Sequence, residues 1–177
     1  LNYRLAGEVI GAADEVVPMI LKGGGIKNTL IISPPGAGKT TMLRDIVRQL
    51  SYKSYRVSVV DERSEIAALC EGRSAFDLGF STDVLEGVDK AEGMLMVLRS
   101  MSPDVIVTDE IGKQSDIDAI ERITNSGAAV IATIHGRNID MIKRRDDLKR
   151  MLKFFDLIIT LSRRNAIGTV EEALTEW

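Results

Sequence analysis

The sequence is short of several features that would assign it to particular classes of protein. Its 177 residues include one cysteine, Cys70. No internal disulfide can therefore form, and a reducing compartment is expected. No apolar run approaches the roughly 20 residues that a membrane helix requires, and no signal peptide is visible. These absences predict a cytosolic domain that does not span a membrane.

A strong excess of either charge is also missing. The formal net charge is -3, which provides no general attraction to nucleic acid or to acidic lipid. The most basic stretch, 141–153, is expected to form a helix with local ion pairs such as that of Lys143 with Asp147. Aromatic residues that could stack on bases are not interleaved there. We therefore expect a solvated face without nucleic-acid contact, and a subunit contact is the alternative.

One stretch has the strand, turn and helix start that a phosphate-binding loop requires. The apolar residues 30–32 lead into Ser33-Pro34-Pro35-Gly36-Ala37-Gly38-Lys39-Thr40-Thr41. Backbone N–H groups of 36–40 can converge on a polyphosphate at the positive end of the following helix. Lys39 would reach the β and γ phosphates, and the Thr40 hydroxyl would ligate Mg²⁺.

This loop departs from the usual pattern at its first position, where Ser33 replaces a glycine. Pro34 and Pro35 have no backbone N–H. The second half of the loop must therefore provide all the donors. A glycine-rich turn that binds nothing is the alternative, but the strand before it and the helix after it favour phosphate binding.

A second chemical signature follows the continuous apolar run at 105–107, which is typical of a strand buried on both faces. Asp109 and Glu110 stand at the end of this strand. Asp109 would hold Mg²⁺ through water, and Glu110 would orient or deprotonate the attacking water. An Asp-Glu pair after a strand is common by itself. It becomes informative in combination with the 33–41 loop.

Two more strand ends carry polar groups, and ligands of open α/β sheets bind outside such ends. Asp61, Glu62 and Glu65 follow a predicted strand at 56–60, where they could order a water or hold Mg²⁺ through its shell. A solvated loop with an internal Arg63 ion pair is the alternative. His135, the only histidine, ends a predicted strand at 128–134. We favour a phosphate-sensing role for it over a core position.

The remaining pattern predicts the order of the elements. A helical lead-in at 1–27 is expected, with apolar positions at helical spacing from 6 to 21, and 28–162 would form the core. Residues 66–88 resist assignment and should have a task. Helices are expected at 39–50, with Arg44 and Asp45 on its polar face, and at 89–101. Another should begin with a capping box at 115–118. A strand at 154–161 and a hairpin at 163–177 complete the chain.

Together these motifs resemble the secretion ATPases of type II, type IV and pilus-retraction systems. Within that group the likeness is closest to a family of sporulation proteins. The residues that carry the resemblance are 33–41, 60–65, 99–104, 108–112 and 132–136.

The resemblance implies a cytoplasmic ATPase at the inner face of the mother-cell membrane of an endospore-forming bacterium. It would energise a channel complex between mother cell and forespore. The partners implied are further copies of itself in a hexamer and membrane proteins of that complex. By similarity, the acidic box of such ATPases falls on Asp61, Glu62 and Glu65, and the histidine box falls on His135.

In these ATPases a separate N-terminal domain supplies arginines to the neighbouring active site. The sequence starts without Met and inside patterned sequence, so we expect it to be a piece of a longer protein. The arginines of that domain are not carried over. Arg63, Arg73 and Arg99 are candidates for phosphate contacts, and Tyr3 and Arg4 are candidates for the adenine pocket.

We therefore predict a single α/β domain: a three-layer, RecA-like P-loop NTPase with a mostly parallel sheet and a C-terminal β-hairpin. Neighbouring central strands at 30–33 and 105–109 would bring Lys39 and Asp109 together. The expected reaction is hydrolysis of ATP with Mg²⁺, and ATP is preferred to GTP because the Asn-Lys-x-Asp motif is absent. A nucleotide-dependent assembly module without turnover and a nucleic-acid motor are the alternatives.

Overall fold

The structure is a computed structural model that describes residues 8–177. The expectations for Tyr3 and Arg4, and for the start of the helical lead-in, lie outside the described residues. The strands are β1 (Thr29–Ser33), β2 (Val57–Asp61), β3 (Leu69–Cys70), β4 (Arg73–Ser74), β5 (Thr82–Glu86), β6 (Val105–Thr108), β7 (Ala129–His135), β8 (Leu157–Ser162) and β9 (Thr169–Leu174). The helices are α1 (Val16–Ile20), α2 (Lys39–Tyr52), α3 (Lys90–Met101), α4 (Gln114–Ser126), α5 (Ile139–Lys143) and α6 (Asp146–Lys149), with a 3₁₀ turn at Leu152–Phe154.

A seven-stranded sheet in the order β5-β2-β6-β7-β1-β8-β9 forms the middle of the molecule. All of its neighbouring strands are parallel except β8 and β9, which form an antiparallel hairpin. The predicted parallel sheet and C-terminal hairpin are confirmed. The prediction that β1 and β6 are direct neighbours is wrong, because β7 lies between them.

Two apolar clusters cover the two faces of the sheet, as three layers require. Side chains alternate along β1, so that Leu30 and Ile32 pack on the side of α3 and α4 while Ile31 packs on the side of α1 and α2. Every residue of β1, β2, β6 and β8 is buried. Continuous apolar runs are typical of such strands, since helices cover both faces.

The N-terminal lead-in and the 66–88 segment differ from the sequence-based expectations. The helix expected from residue 6 is shortened to α1, because turns occupy 10–15 and Gly11 has φ of +88°. The unassigned 66–88 segment contains the β3–β4 hairpin and β5, an edge strand parallel to β2. No residue of β5 is fully buried, so its sequence lacks the apolar run that identified the other strands.

Two helix starts and the basic stretch also differ. The capping acid of α4 is Asp116, which accepts hydrogen bonds from the backbone N–H groups of Gly112 and Lys113 at 2.9 Å each. The capping box predicted at 115–118 is therefore shifted. The single helix expected at 141–153 is instead α5, α6 and the 3₁₀ turn, and the ion pair there joins Arg145 to Asp147. Within residues 8–177, no helix combines the length and the apolar character needed to cross a bilayer.

Candidate nucleotide-binding site

The 33–41 loop forms one wall of a cleft of about 660 Å³ at the carboxyl ends of the strands. Gly36 and Gly38 have φ of +69° and +86°, a region that glycine adopts without steric cost. Gly38 is the N-cap of α2, a helix of 14 residues, so the positive end of its macrodipole points into the cleft. Other walls come from 63–65, from Asp109 and Glu110, and from Ile167.

Lys39 and Glu110, one from each predicted chemical signature, meet in this cleft. The Nζ atom of Lys39 lies 3.7 Å from Oε1 of Glu110. Arg63 donates a hydrogen bond to Oε2 of the same carboxylate at 3.0 Å. Glu110 itself has φ of +42°, and its backbone N–H donates to the Thr133 hydroxyl at 2.8 Å. The turn after β6 is therefore anchored to β7 and directs Glu110 toward the loop.

Asp109 is 4% exposed and lines the same cleft as Lys39 and Thr40. Its Oδ1 atom accepts a hydrogen bond from Nζ of Lys90 at 3.3 Å. The same ammonium donates to Glu62 at 3.2 Å. Lys90 is 4% exposed, and its single positive charge is shared between these two carboxylates.

The contacts of Lys90 were not predicted from the sequence, although one feature of the sequence pointed to them. It is the first residue of α3, where the helix dipole disfavours a cation. A lysine at that position, after a run of strand-end carboxylates, could have indicated a buried ion pair.

The Asp61 carboxylate was expected to order a water or to hold Mg²⁺ through its shell, but it points into the protein instead. It is fully buried and accepts hydrogen bonds from the backbone N–H groups of Glu65, Ile66 and Ala67 at 2.8, 2.9 and 2.8 Å. With both oxygens occupied by backbone donors, Asp61 fixes the 62–67 loop beside the cleft. Of residues 61–65, Arg63, Ser64 and Glu65 line the cleft.

Arg44 of α2 also holds the 62–67 loop in place. It donates to the carbonyl oxygens of Ile66 at 2.7 Å and of Glu65 at 2.6 Å. Arg44 is 7% exposed, and burial lowers the pKa of its guanidinium, although the nearby Asp61 opposes this shift. Arg44 belongs to the polar face expected for this helix, and the 62–67 loop covers that part of the face.

His135 lies beside the 33–41 loop but outside the cleft. It ends β7 in register with Ser33, and its side chain is exposed. It lines a separate cavity of about 380 Å³ with Pro34, Pro35, Arg137 and Met141. Pro35 borders both cavities, and His135 does not line the cleft that contains Lys39 and Glu110.

Ser33, the departure from the usual loop pattern, is buried, and its hydroxyl donates to the carbonyl oxygen of Pro34 at 2.9 Å. It therefore braces the loop. Of the three arginines considered for phosphate contacts, only Arg63 lines the cleft. Arg73 lies in the β3–β4 hairpin. Arg99 lies in the last turn of α3, which leads to the amino end of β6 at the opposite edge of the sheet.

The chain is similar in sequence to a sporulation protein. The chain is 40% identical over 178 residues to "Stage III sporulation protein AA" of Bacillus subtilis (strain 168), covering 97% of this chain and 58% of that protein. It therefore spans well under two thirds of this relative.

Solved structures of secretion ATPases share the fold. The pilus retraction motor PilT with bound ADP has a TM-score of 0.64 at 20% identity, over 89% of this chain and 49% of that one. The ATPase DotB of Legionella pneumophila has a TM-score of 0.63 at 20% identity, over 86% of this chain and 46% of that one. The RecA-like fold expected from the resemblance is confirmed.

A family model described as "Sporulation stage III, protein AA" matches residues 1–176. With nearly the whole chain matched, the chain belongs to the family of stage III sporulation proteins AA.

Proposed function

We propose that the chain binds ATP with Mg²⁺ in the cleft of the 33–41 loop and hydrolyses it there. The observation that carries the proposal is the 3.7 Å separation between the Lys39 ammonium and the Glu110 carboxylate. The phosphate-binding cation and the group that would act on water thus reach the same point. Backbone N–H groups at the start of α2, together with Lys39, would hold the polyphosphate.

The oxygen atoms available in the cleft fit Mg²⁺. This ion prefers carboxylate, hydroxyl, phosphate and water oxygens, and commonly takes only one or two ligands from the protein. Thr40 and Asp109 line the cleft beside Lys39 and are the residues that would hold the ion. When bound, Mg²⁺ would supply charge neutralisation on the β and γ phosphate oxygens.

Glu110 is the residue that would orient and deprotonate the attacking water. Without nucleotide its carboxylate is paired with Lys39 and Arg63. A triphosphate entering the loop would compete for Lys39, because a doubly charged phosphate group attracts the ammonium more strongly than one carboxylate does. Nucleotide binding would thereby release one side of Glu110 for water, and Arg63 would remain beside the transferring group.

The cellular role that we propose follows from the family. The domain would energise or help assemble a channel complex between mother cell and forespore, at the inner face of the mother-cell membrane. The likeness to secretion ATPases supports this, and a homo-hexamer is the assembly that we propose for the full-length protein. In this proposal, Asp61 holds the 62–67 loop and Glu62 pairs with Lys90, while His135 lies beside the cleft and does not contact the phosphates directly.

Steady-state ATP turnover of wild type and four variants tests the proposal. We expect Lys39→Ala to weaken ATP binding and Glu110→Gln to retain binding, with turnover of each falling by roughly 100-fold or more. Lys53→Ala and Glu92→Gln, exposed residues outside the cleft, are matched controls and should turn over like wild type. Equal rates in all five proteins would rule out ATP hydrolysis at this site.

A further inference from the structure

The turn between β8 and β9 packs directly against the 33–41 loop. A methyl group built on Gly38 would lie 3.0 Å from Cγ2 of Ile167 and 3.4 Å from the backbone nitrogen of Gly168. A methyl group on Gly36 would lie 3.4 Å from a guanidinium nitrogen of Arg163. Gly38 therefore serves a second purpose besides positive φ, because it allows the 163–168 turn to approach the loop closely, whereas a methyl group on Gly36 would make only an ordinary contact with a flexible side chain.

The 163–168 turn is fixed by its own hydrogen bonds. The Thr169 hydroxyl donates to the carbonyl oxygen of Ala166 at 2.9 Å and accepts from the backbone N–H of the same residue at 3.1 Å. Ile167 is thereby held at the tip, where its side chain is 72% exposed and lines the cleft. Ligand sites combine apolar surface with a few polar groups, and Ile167 provides apolar surface at this end of an otherwise largely polar cleft.

Sheet order decides which part of a nucleotide could reach this side chain. The acidic pair after β6 lies two strands from β1 on one side, and β8 lies next to β1 on the other. Three strand spacings separate β6 from β8, about 14 Å at the usual spacing. A triphosphate whose terminal group faces Asp109 and Glu110 would run along the 33–41 loop, with its base directed toward the 163–168 turn.

We propose that the 163–168 turn is the nucleobase subsite of this cleft, with Ile167 packed on the face of the base and Arg163 beside the sugar. This inference rests on the proposed nucleotide function. It adds that affinity for the base is apolar and independent of the donors and acceptors at its edge.

Binding titrations of ATP and of inorganic tripolyphosphate, each with Mg²⁺, test the subsite. Ile167→Ala should weaken ATP binding about 10-fold, because it exposes apolar surface that the base would cover. Tripolyphosphate has no base, so its affinity should be unchanged. Ile10→Ala is the matched control, since Ile10 is 67% exposed and does not line the cleft; it should alter neither affinity.

The possible results separate this inference from the proposed function. If Ile167→Ala leaves the affinity for ATP unchanged, or lowers the affinities for ATP and tripolyphosphate equally, the turn does not contact the base. If wild type binds tripolyphosphate as tightly as ATP, the base subsite is excluded while the phosphate site stands. If wild type binds neither ligand, the proposed function fails, and the subsite fails with it.

Discussion

At the scale of single residues, Lys90 is the buried cation that contacts Asp109, one of the two residues proposed to hold Mg²⁺. Its ammonium lies within 3.3 Å of both Asp109 and Glu62 and is 4% exposed. Burying a charge is costly unless partners offset the desolvation, so removing one member of such a group leaves the others uncompensated. Lys90 therefore holds the Asp109 side chain in place through this contact.

We expect Lys90→Met to lower the free energy of unfolding by about 3–5 kcal/mol, because two carboxylates would lose their buried counter-ion. Urea denaturation measures this loss. Lys113→Met is the matched control: Lys113 joins the same acidic group through Glu62 and Asp89, but its side chain is 62% exposed. It should change stability little, since water screens exposed ion pairs. Equal losses in both variants would show that Lys90 contributes no more than a surface lysine.

Single residues also show where sequence reasoning reached its limit. Lys39, Asp109 and Glu110 could be placed at one cleft because the strand, loop and helix pattern fixes their position at the carboxyl end of the sheet. The contacts of Asp61 and His135 could not be predicted. A strand end directs a residue to an edge of the sheet, but local backbone donors and the two prolines decided what those side chains meet.

At the scale of elements, α2 is tied to the N-terminal lead-in through Asp45. The Asp45 carboxylate is 3% exposed and accepts hydrogen bonds from the backbone N–H of Ala13 at 2.8 Å and from Arg48 and Gln49 at 2.8 Å each. Burial alone would raise the pKa of this carboxyl, but these hydrogen bonds outweigh it, and the pKa of Asp45 is lowered from 3.8. The helix that follows the 33–41 loop is thereby fastened to the segment before β1.

The lowered pKa of Asp45 sets the sign of a pH dependence. A carboxyl whose pKa is lower in the folded state stabilises the fold above its unfolded pKa, and that contribution disappears as pH falls through the folded value. We expect Asp45→Asn to lower the free energy of unfolding by about 1–3 kcal/mol at pH 7, because buried donors lose a charged acceptor. Below pH 3.8 the difference in the free energy of unfolding between Asp45→Asn and wild type should become smaller.

Chemical denaturation at several pH values measures the effect of Asp45→Asn. Asp156→Asn is the control, because Asp156 also accepts a backbone N–H, from Asn28, but in an exposed setting. If the loss of unfolding free energy in Asp45→Asn stays constant down to acidic pH, the charge of Asp45 has no part in holding α2.

Elements also differed in how far the sequence could identify them. The buried strands β1, β6, β7 and β8 carry continuous apolar runs, which predict them well. β5 pairs with β2 along five residues but includes Asp83 and Glu86, because an edge strand is partly solvated. Its position depends on backbone pairing with a distant strand, which no local pattern encodes.

At the scale of the whole molecule, the candidate cleft exists only in the folded chain. Its walls come from the 33–41 loop, from 63–65, from Asp109 and Glu110, and from Ile167. These segments are brought together by the order of seven strands. An unfolded chain has no such site, so a nucleotide that binds there must stabilise the folded state by mass action.

We expect a non-hydrolysable ATP analogue with Mg²⁺, at 100 times its dissociation constant, to raise the free energy of unfolding by about 2.7 kcal/mol. The urea dependence of that free energy should be unchanged, since the same surface is exposed on unfolding. Lys39→Ala should show almost no stabilisation at the same concentration, whereas Lys53→Ala, at the far end of α2, should behave as wild type. Stabilisation of Lys39→Ala equal to that of wild type would place the nucleotide outside this cleft, because Lys39 is the cation that we propose for the phosphates.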